Sequence, residues 1–198
     1  MARSYQRMLF RALLVLTPIF TACERAADIN GITADPMPAT VAFKSAEVRV
    51  VTRVVGGTTG YAISDYVTRN KTATLQVGKY QLYVPRGAVK KPTRFMMVVL
   101  DSAFIGVRLY AFDKEWKPVT HFHVPVELTL PYDEASADEI RAGELRIANV
   151  VSETDPTILE LVSAEVDADS QTVTGSLYHF SVWTLALQLT KELSPGID

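Results

Sequence analysis

The fold is decided by residues 72–84, TATLQVGKYQLYV. The runs on either side of Gly78 are rich in residues that favour strands, and a glycine between two such runs predicts a tight hairpin. In Lys79–Val84 apolar and polar side chains alternate, which is typical of a strand with one buried face. The stretch therefore predicts two antiparallel strands that lie against a core.

Similar short runs recur outward from this hairpin in both directions. With spacings of about 8–12 residues, and with Gly, Pro and Asp between them, they are typical of an antiparallel sandwich or barrel. The further predicted strands cover residues 47–55, 93–100, 106–112, 124–130, 144–151, 157–166, 172–178 and 181–187. We expect an all-β fold, namely an antiparallel β-sandwich.

The segment Asp133–Gly143 has a different pattern. It begins with acids, continues with alanines and ends on a glycine where a helix C-cap belongs. This predicts one short surface helix. Acids at a helix N-terminus are stabilising without any ion, so we interpret them as part of the helix rather than as a cation site.

Residues 1–22 have the pattern of a cleaved secretory signal. Three arginines and no acid accompany the nine-residue apolar run Ala12–Phe20, and small residues follow before Cys23. The run is too short to span a membrane; the alternative is an amphipathic or buried N-terminal helix. The small pair before Cys23 resembles the lipobox of bacterial lipoproteins. That resemblance implies that Cys23 is lipidated and becomes the first residue of the exported chain.

Composition and charge narrow the class of protein. The chain has 198 residues, 48% of them hydrophobic, which is enough to build a core. Its net charge of −2 argues against a nucleic-acid partner, and its one cysteine excludes an internal disulfide and a cysteine zinc site. Removing residues 1–22 takes away three arginines and no acid, so the net charge falls to −5.

The predicted organisation has four parts. Residues 1–22 are the signal, and residues 23–45, which are small, polar and rich in proline, form a flexible tether. The β-sandwich covers residues 46–190, and residues 191–198 form a C-terminal tail.

Few patterns in the chain point to catalysis. The loop Gly56–Gly60 lacks the lysine of a phosphate-binding loop, and Asp167–Gln171 lacks the glycine and glutamate of a calcium loop. His121 and His123 would share one face of a strand, with Phe122 and Val124 directed into the core. Two histidines without a third ligand favour a solvent-exposed strand face, so we expect no metal and no cofactor.

Four segments, in order, resemble a ZU-five domain, the module shared by zona occludens proteins, netrin receptors and ankyrins. They are Gly78–Val89 with its Val-Pro-x-Gly-Ala-Val turn, Thr93–Val99, Phe122–Pro131 and His179–Trp183, and the resemblance covers about residues 72–188. It implies a β-sandwich used for interaction rather than turnover. Compact versions of this domain occur in bacterial exported lipoproteins.

The resemblance also implies an alternative activity. Some members cleave themselves between Phe and Ser of a His-Phe-Ser tripeptide. Here Ser181 would attack the carbonyl carbon of Phe180, with His179 as general base. The simpler interpretation is a plain strand, with Phe180 in the core and with His179 and Ser181 on the opposite face.

We therefore expect a lipid-anchored lipoprotein of the bacterial envelope whose sandwich is a non-catalytic interaction or structural module. The expected partner is an envelope protein or polysaccharide, in addition to the membrane that holds the lipid on Cys23. Candidate contacts are Tyr61, Tyr66, Tyr110 and Trp116, because aromatic residues dominate interfaces. The alternatives are self-cleavage and, last, a metal-dependent envelope hydrolase using His121 or His123.

Overall fold

The computed structural model describes residues 47–54, 56–141 and 143–189. These residues contain twelve β-strands and one short helix. The strands are β1 (Val48–Val50), β2 (Gly60–Ile63), β3 (Ala73–Val77), β4 (Tyr80–Val84), β5 (Thr93–Val99), β6 (Gly106–Asp113), β7 (His121–Pro131), β8 (Gly143–Val150), β9 (Ile158–Val162), β10 (Ala164–Asp167), β11 (Thr172–His179) and β12 (Val182–Leu189), and the helix α1 is Ala137–Arg141.

The strands form two antiparallel sheets. The first sheet has the order β2-β5-β6-β12-β8-β9, and β1 pairs with β12 beyond the end of β6. The second sheet has the order β10-β11-β7-β4-β3. Both sheets contribute to one core, for example Phe95 and Trp183 from the first and Leu82 and Leu128 from the second. The expected all-β sandwich with one short helix is confirmed.

The hairpin at Gly78 forms as predicted. Val77 pairs with Tyr80, so Gly78 and Lys79 make a two-residue turn. Gly78 has a φ of 57°, a left-handed conformation that glycine adopts without steric cost. On β4 the side chains of Tyr80, Leu82 and Val84 are fully buried, in agreement with the alternation of the sequence.

Other segments differ from their predicted bounds. The run 47–55 contributes only the short β1, because the chain then leaves the ladder. The run 157–166 is two strands, since the chain passes from the first sheet to the second at Ser163. The strand β2 was not predicted, and β7 begins three residues earlier than expected.

The antiparallel register defines two ends of the sandwich. At one, here called the Thr93 end, lie the connections from β2 to β3, from β4 to β5 and from β6 to β7. At the other, the Gly78 end, lie the hairpin turn Gly78–Lys79, the connection from β5 to β6 and the segment between β7 and β8. Glu47, where the described chain begins, accepts a hydrogen bond from Leu189 at the Gly78 end.

Several predicted parts of the chain lie outside the described residues. They are the signal 1–22, the lipidation residue Cys23, the tether 23–45 and the tail 191–198. In the described part, no helix has the length and apolar character needed to cross a membrane.

Candidate functional site

The outer surface of the first sheet is unusually rich in aromatic and aliphatic side chains at β2, β5 and β6. On β5 and β6 alternate residues point into the core, so the intervening residues face outward. We call the outward set on these three strands the aromatic face. Its members are Tyr61, Ile63, Arg94, Met96, Val98, Arg108, Tyr110 and Phe112.

Strand register brings these residues together in rows. Ile63 lies opposite Met96, and Met96 lies opposite Tyr110. In the next row Tyr61 lies opposite Val98. Directly opposite residues of antiparallel strands share a face and touch across the ladder. Three strands thus present one continuous surface.

Tyr61 and Ile63 are exposed to solvent, whereas the six residues of this surface on β5 and β6 are half-buried. The side chain of Tyr61 is 69% exposed and that of Ile63 is 51% exposed. The rings of Tyr110 and Phe112 are nearly parallel, with centroids 6.0 Å apart. The ring of Trp116 follows 6.1 Å from that of Phe112 and is 69% exposed. The surface therefore offers a chain of aromatic side chains to a partner.

Trp116 is held at this border by the turn that follows β6. Oδ1 of Asp113 accepts hydrogen bonds from the backbone N–H of Glu115 and Lys117. These two hydrogen bonds keep the pKa of the Asp113 carboxyl below its ordinary value, and the bond from Lys117 has the larger effect. Trp116 itself has a φ of 60°, which directs its side chain out of the turn.

The charged groups of the aromatic face are cationic. Its eight residues include Arg94 and Arg108 and no carboxylate. The guanidinium of Arg94 lies 4.6 Å from the ring centroid of Tyr66, a cation–π contact, and Nζ of Lys114 lies 5.8 Å from the same ring. At the border, Arg108 forms a 3.2 Å ion pair with Glu153.

The neighbouring part of the same outer surface is covered. There the residues Leu100, Phe104, Val150 and Val182 form a second, smaller apolar cluster beneath the connection from β5 to β6. Among the residues that the structure describes, the aromatic face is therefore the part of this surface that no connection covers. Of the four aromatic contacts proposed from the sequence, it includes Tyr61 and Tyr110. The other two, Tyr66 and Trp116, lie beside it.

The tripeptide His179-Phe180-Ser181 does not lie within one strand, so that expectation was wrong. His179 ends β11 in the second sheet, and Val182 begins β12 in the first, so the chain crosses between sheets here. Phe180 does face the core, where its ring contacts Phe122 at a centroid distance of 4.6 Å. The carbonyl of Ser181 accepts a hydrogen bond from Leu109 N–H, which binds it to β6.

The side chain of His179 contacts an acid and an aromatic ring. Its Nε2 lies 2.7 Å from Oε2 of Glu160, and its ring packs 5.2 Å from that of Trp183. His179 also pairs with His121 across β11 and β7. Nothing in the sequence indicated this proximity, because the two residues are 58 positions apart.

His121 and His123 are exposed, as expected for a solvent-exposed strand face. Phe122 is buried, but Val124 is 37% exposed rather than directed into the core as expected. Nδ1 of His121 lies 3.0 Å from the Thr120 hydroxyl. Within residues 47–54, 56–141 and 143–189, no group of three or more His, Cys, Asp or Glu side chains is arranged to hold a metal ion.

The sequence did not indicate a buried polar cluster at the Gly78 end. Arg53 donates to the hydroxyl of Tyr80 at 2.8 Å, and that hydroxyl donates to Glu134 at 3.0 Å. Burial, the largest effect, raises the pKa of Tyr80 far above its ordinary value; Arg53 opposes the shift and Glu134 adds to it. The cluster joins three segments, and we assign it a structural role.

Comparison with known proteins gives no family. No protein-family model matches the chain, and no curated protein matches it either.

Proposed function

We propose that this protein is a lipid-anchored lipoprotein of the bacterial envelope whose β-sandwich is a non-catalytic module that binds another protein. The observation that carries the proposal is the aromatic face. It is an uncovered surface on three strands, with two arginines and no carboxylate among its residues.

The composition of the aromatic face supports a protein partner. The centres of protein interfaces are enriched in Tyr, Trp, Phe, Met and Arg and depleted in Lys, Glu, Asp, Ser and Ala. All eight residues of the face avoid the depleted types, and six of them are of the enriched types. Arg108 is paired with Glu153, but Arg94 forms no ion pair among the described residues, so the partner surface should carry an acidic group beside its apolar ones.

The exposed edge of the first sheet adds to this argument. β2 is the last strand on its side of the sheet, so one row of its backbone groups faces away from β5. Tyr61 and Ile63 lie on this strand. A partner could therefore contact the edge and the aromatic face at the same time.

The envelope anchor rests on the sequence alone. The resemblance of the segment before Cys23 to a lipobox supports it, and so does the position of the single cysteine. Labelling with a fatty-acid analogue, with Cys23→Ser as the control, tests it. The resemblance to a ZU-five domain, which also rests on the sequence, supports an interaction role. The four segments that carry it supply strands to both sheets.

The decisive experiment is capture from an envelope extract with three forms of the full chain. We expect a protein that the wild type captures and that the double variant Tyr61→Glu/Tyr110→Glu does not. The matched control is Tyr178→Glu, because Tyr178 is 54% exposed but lies on β11 in the other sheet. Equal capture by all three forms would rule out the aromatic face as the binding surface.

The second candidate is self-cleavage, which one observation favours. The Phe180–Ser181 bond lies in the short crossing between the two sheets, and Glu160 contacts His179 on the same side of the molecule. An acid in contact with a histidine, with a serine two residues further along the chain, has the composition of a nucleophilic triad. The ring nitrogen nearest the acid is Nε2, which leaves Nδ1 as the atom that would serve Ser181.

A further inference from the structure

The positive charges of the described chain are concentrated at the Thr93 end. The connections from β2 to β3, from β4 to β5 and from β6 to β7 all lie there. Exposed basic side chains project from each of them, and they are Arg69, Lys71, Arg86, Lys90, Lys91 and Lys114. We call these six residues the basic end.

None of these six cations forms an ion pair in the described part of the chain, where no carboxylate oxygen lies within 4.0 Å of any of them. Asp113 nevertheless lies at the same end of the sandwich, opposite Thr93. The acids of the same three connections are Asp65 and Glu115, and Glu115 is paired with Lys117 at 2.6 Å. Uncompensated charges of one sign on one surface create a field that attracts a polyanion.

The opposite end has the opposite character. Its basic side chains are paired with acids, as Lys79 is with Asp133 at 2.7 Å and Arg53 with Glu134 at 2.8 Å. Further exposed acids there include Asp138 and Asp169. The ion-paired cations of the Gly78 end thus contrast with the six cations of the basic end, which form no ion pair among the described residues.

We infer that the basic end binds an anionic polysaccharide, a linear polymer with regularly spaced carboxylate or phosphate groups. Its six cations are distributed over three separate connections, so they match a series of charges along a chain better than a single small anion. This inference is independent of the proposed function, because it concerns a different surface and a different class of ligand.

The structure favours a polysaccharide over a membrane surface. Insertion into a bilayer interface requires apolar side chains that project from the surface. In these connections Val67 and Val89 are 4% and 3% exposed, and the ring of Tyr66 is covered by Arg94 and Lys114. Trp116, 69% exposed, is the single large apolar side chain that projects from the described residues of these connections, and one side chain provides little area for insertion.

It also favours a polysaccharide over a protein. A protein interface needs an apolar centre that is fully desolvated on binding. The basic end offers exposed lysines and arginines instead, and Lys is depleted from such centres. Polyanions bind mainly through charge, and their affinity falls steeply with salt.

The test uses the full chain with Cys23→Ser, purified in detergent, and polygalacturonate as the probe. Binding is measured at about 50 mM and about 200 mM salt, the range in which such affinities change most clearly. Neutral dextran and vesicles containing phosphatidylglycerol are the comparison ligands. We expect binding to polygalacturonate that weakens with salt, and none to dextran.

Matched variants locate the binding. Lys90→Gln/Lys91→Gln and, in another connection, Arg69→Gln/Lys71→Gln should each weaken binding roughly tenfold at the lower salt and reduce the salt dependence. Arg49→Gln/Lys79→Gln removes the same charge from paired side chains outside the basic end and should leave binding unchanged. Capture of a protein through the aromatic face should be unaffected in all three.

Three results would overturn the inference. One is the absence of binding to polygalacturonate, and another is an equal loss in the Arg49→Gln/Lys79→Gln control. The third is binding to the vesicles without binding to the polysaccharide, which would assign the basic end to the membrane. None of these results bears on the capture experiment with Tyr61 and Tyr110, so the two proposals fail separately.

Discussion

Nε of Arg53 lies 2.8 Å from Oε2 of Glu134, in a region where the two side chains are only 6% and 14% exposed. Two more hydrogen bonds complete the arrangement: Arg53 donates to the carbonyl of Leu100, and the backbone N–H of Thr58 donates to Glu134. A buried ion pair is tolerated when its remaining polar atoms find partners. This pair therefore joins the segment after β1 to two distant parts of the sandwich.

Removing one partner of this pair should destabilise the fold strongly. Arg53→Met leaves the Glu134 carboxylate buried without its cation, and we expect a loss of roughly 3–5 kcal/mol in the free energy of unfolding. Urea denaturation followed by circular dichroism measures it. The control is Asp133→Asn, which breaks the exposed pair with Lys79 and should cost less than about 1 kcal/mol.

Tyr80 should make the stability fall at alkaline pH. Its pKa is raised in the folded protein, chiefly by burial, so the neutral form is favoured there. The stability that this shift contributes is complete below the ordinary tyrosine pKa of about 10. It is lost as the pH rises above that value, because the unfolded chain then releases the phenolic proton while the folded protein still holds it. Unfolding measured from pH 8 upward should show this decline, and Tyr80→Phe should flatten it. An unchanged slope in that variant would assign the decline to other groups.

A methyl group at Gly106 should be poorly tolerated. A Cβ there would lie 2.6 Å from the backbone carbonyl oxygen of Trp183, on the neighbouring strand, and neither backbone moves easily. We expect Gly106→Ala to lower the free energy of unfolding by about 1–3 kcal/mol. Gly56→Ala provides the contrast, since nothing lies within 4 Å of the added carbon. Thermal unfolding of the two variants measures the difference.

The bond between Phe180 and Ser181 should remain intact. Neither Phe180 nor Ser181 has a positive φ, so the backbone there shows none of the strain that would drive an acyl shift, and the Ser181 carbonyl is bound to β6 by Leu109. We expect a single band after the purified protein is heated in denaturing gel buffer. Two stable fragments that disappear in Ser181→Ala would instead establish self-cleavage as an activity of this chain.

Local patterns predicted the fold class because strand periodicity and turn propensity depend on residues that are neighbours in the sequence. Gly78 and the alternation of β4 gave the hairpin correctly. The same signals could not locate the passage between sheets at Ser163, since a strand-forming run has the same composition in either sheet. The four residues of β2 were missed because they are too few to show a period.

The candidate site was less predictable for a related reason. Sequence inspection selected Tyr61 and Tyr110 as exposed aromatics, but only the register of β2, β5 and β6 places them on one face. The pairing of His179 with His121 is likewise a product of register between distant segments. The cluster around Arg53 required three segments to converge, for which no short motif exists.

The antiparallel pairing of β1 with β12 has a mechanical consequence. Val48 pairs with Gln188 and Val50 with Ala186, so a pull on the chain before Glu47 acts along the strand and loads these bonds in shear, together rather than one by one. If they yield, the load passes next to Arg53, whose ion pair lies only a few residues beyond. A domain attached through its N-terminus would thus resist tension in two stages. The backbone hydrogen bonds between β1 and β12 would bear the load first, and the buried ion pair between Arg53 and Glu134 would bear it next.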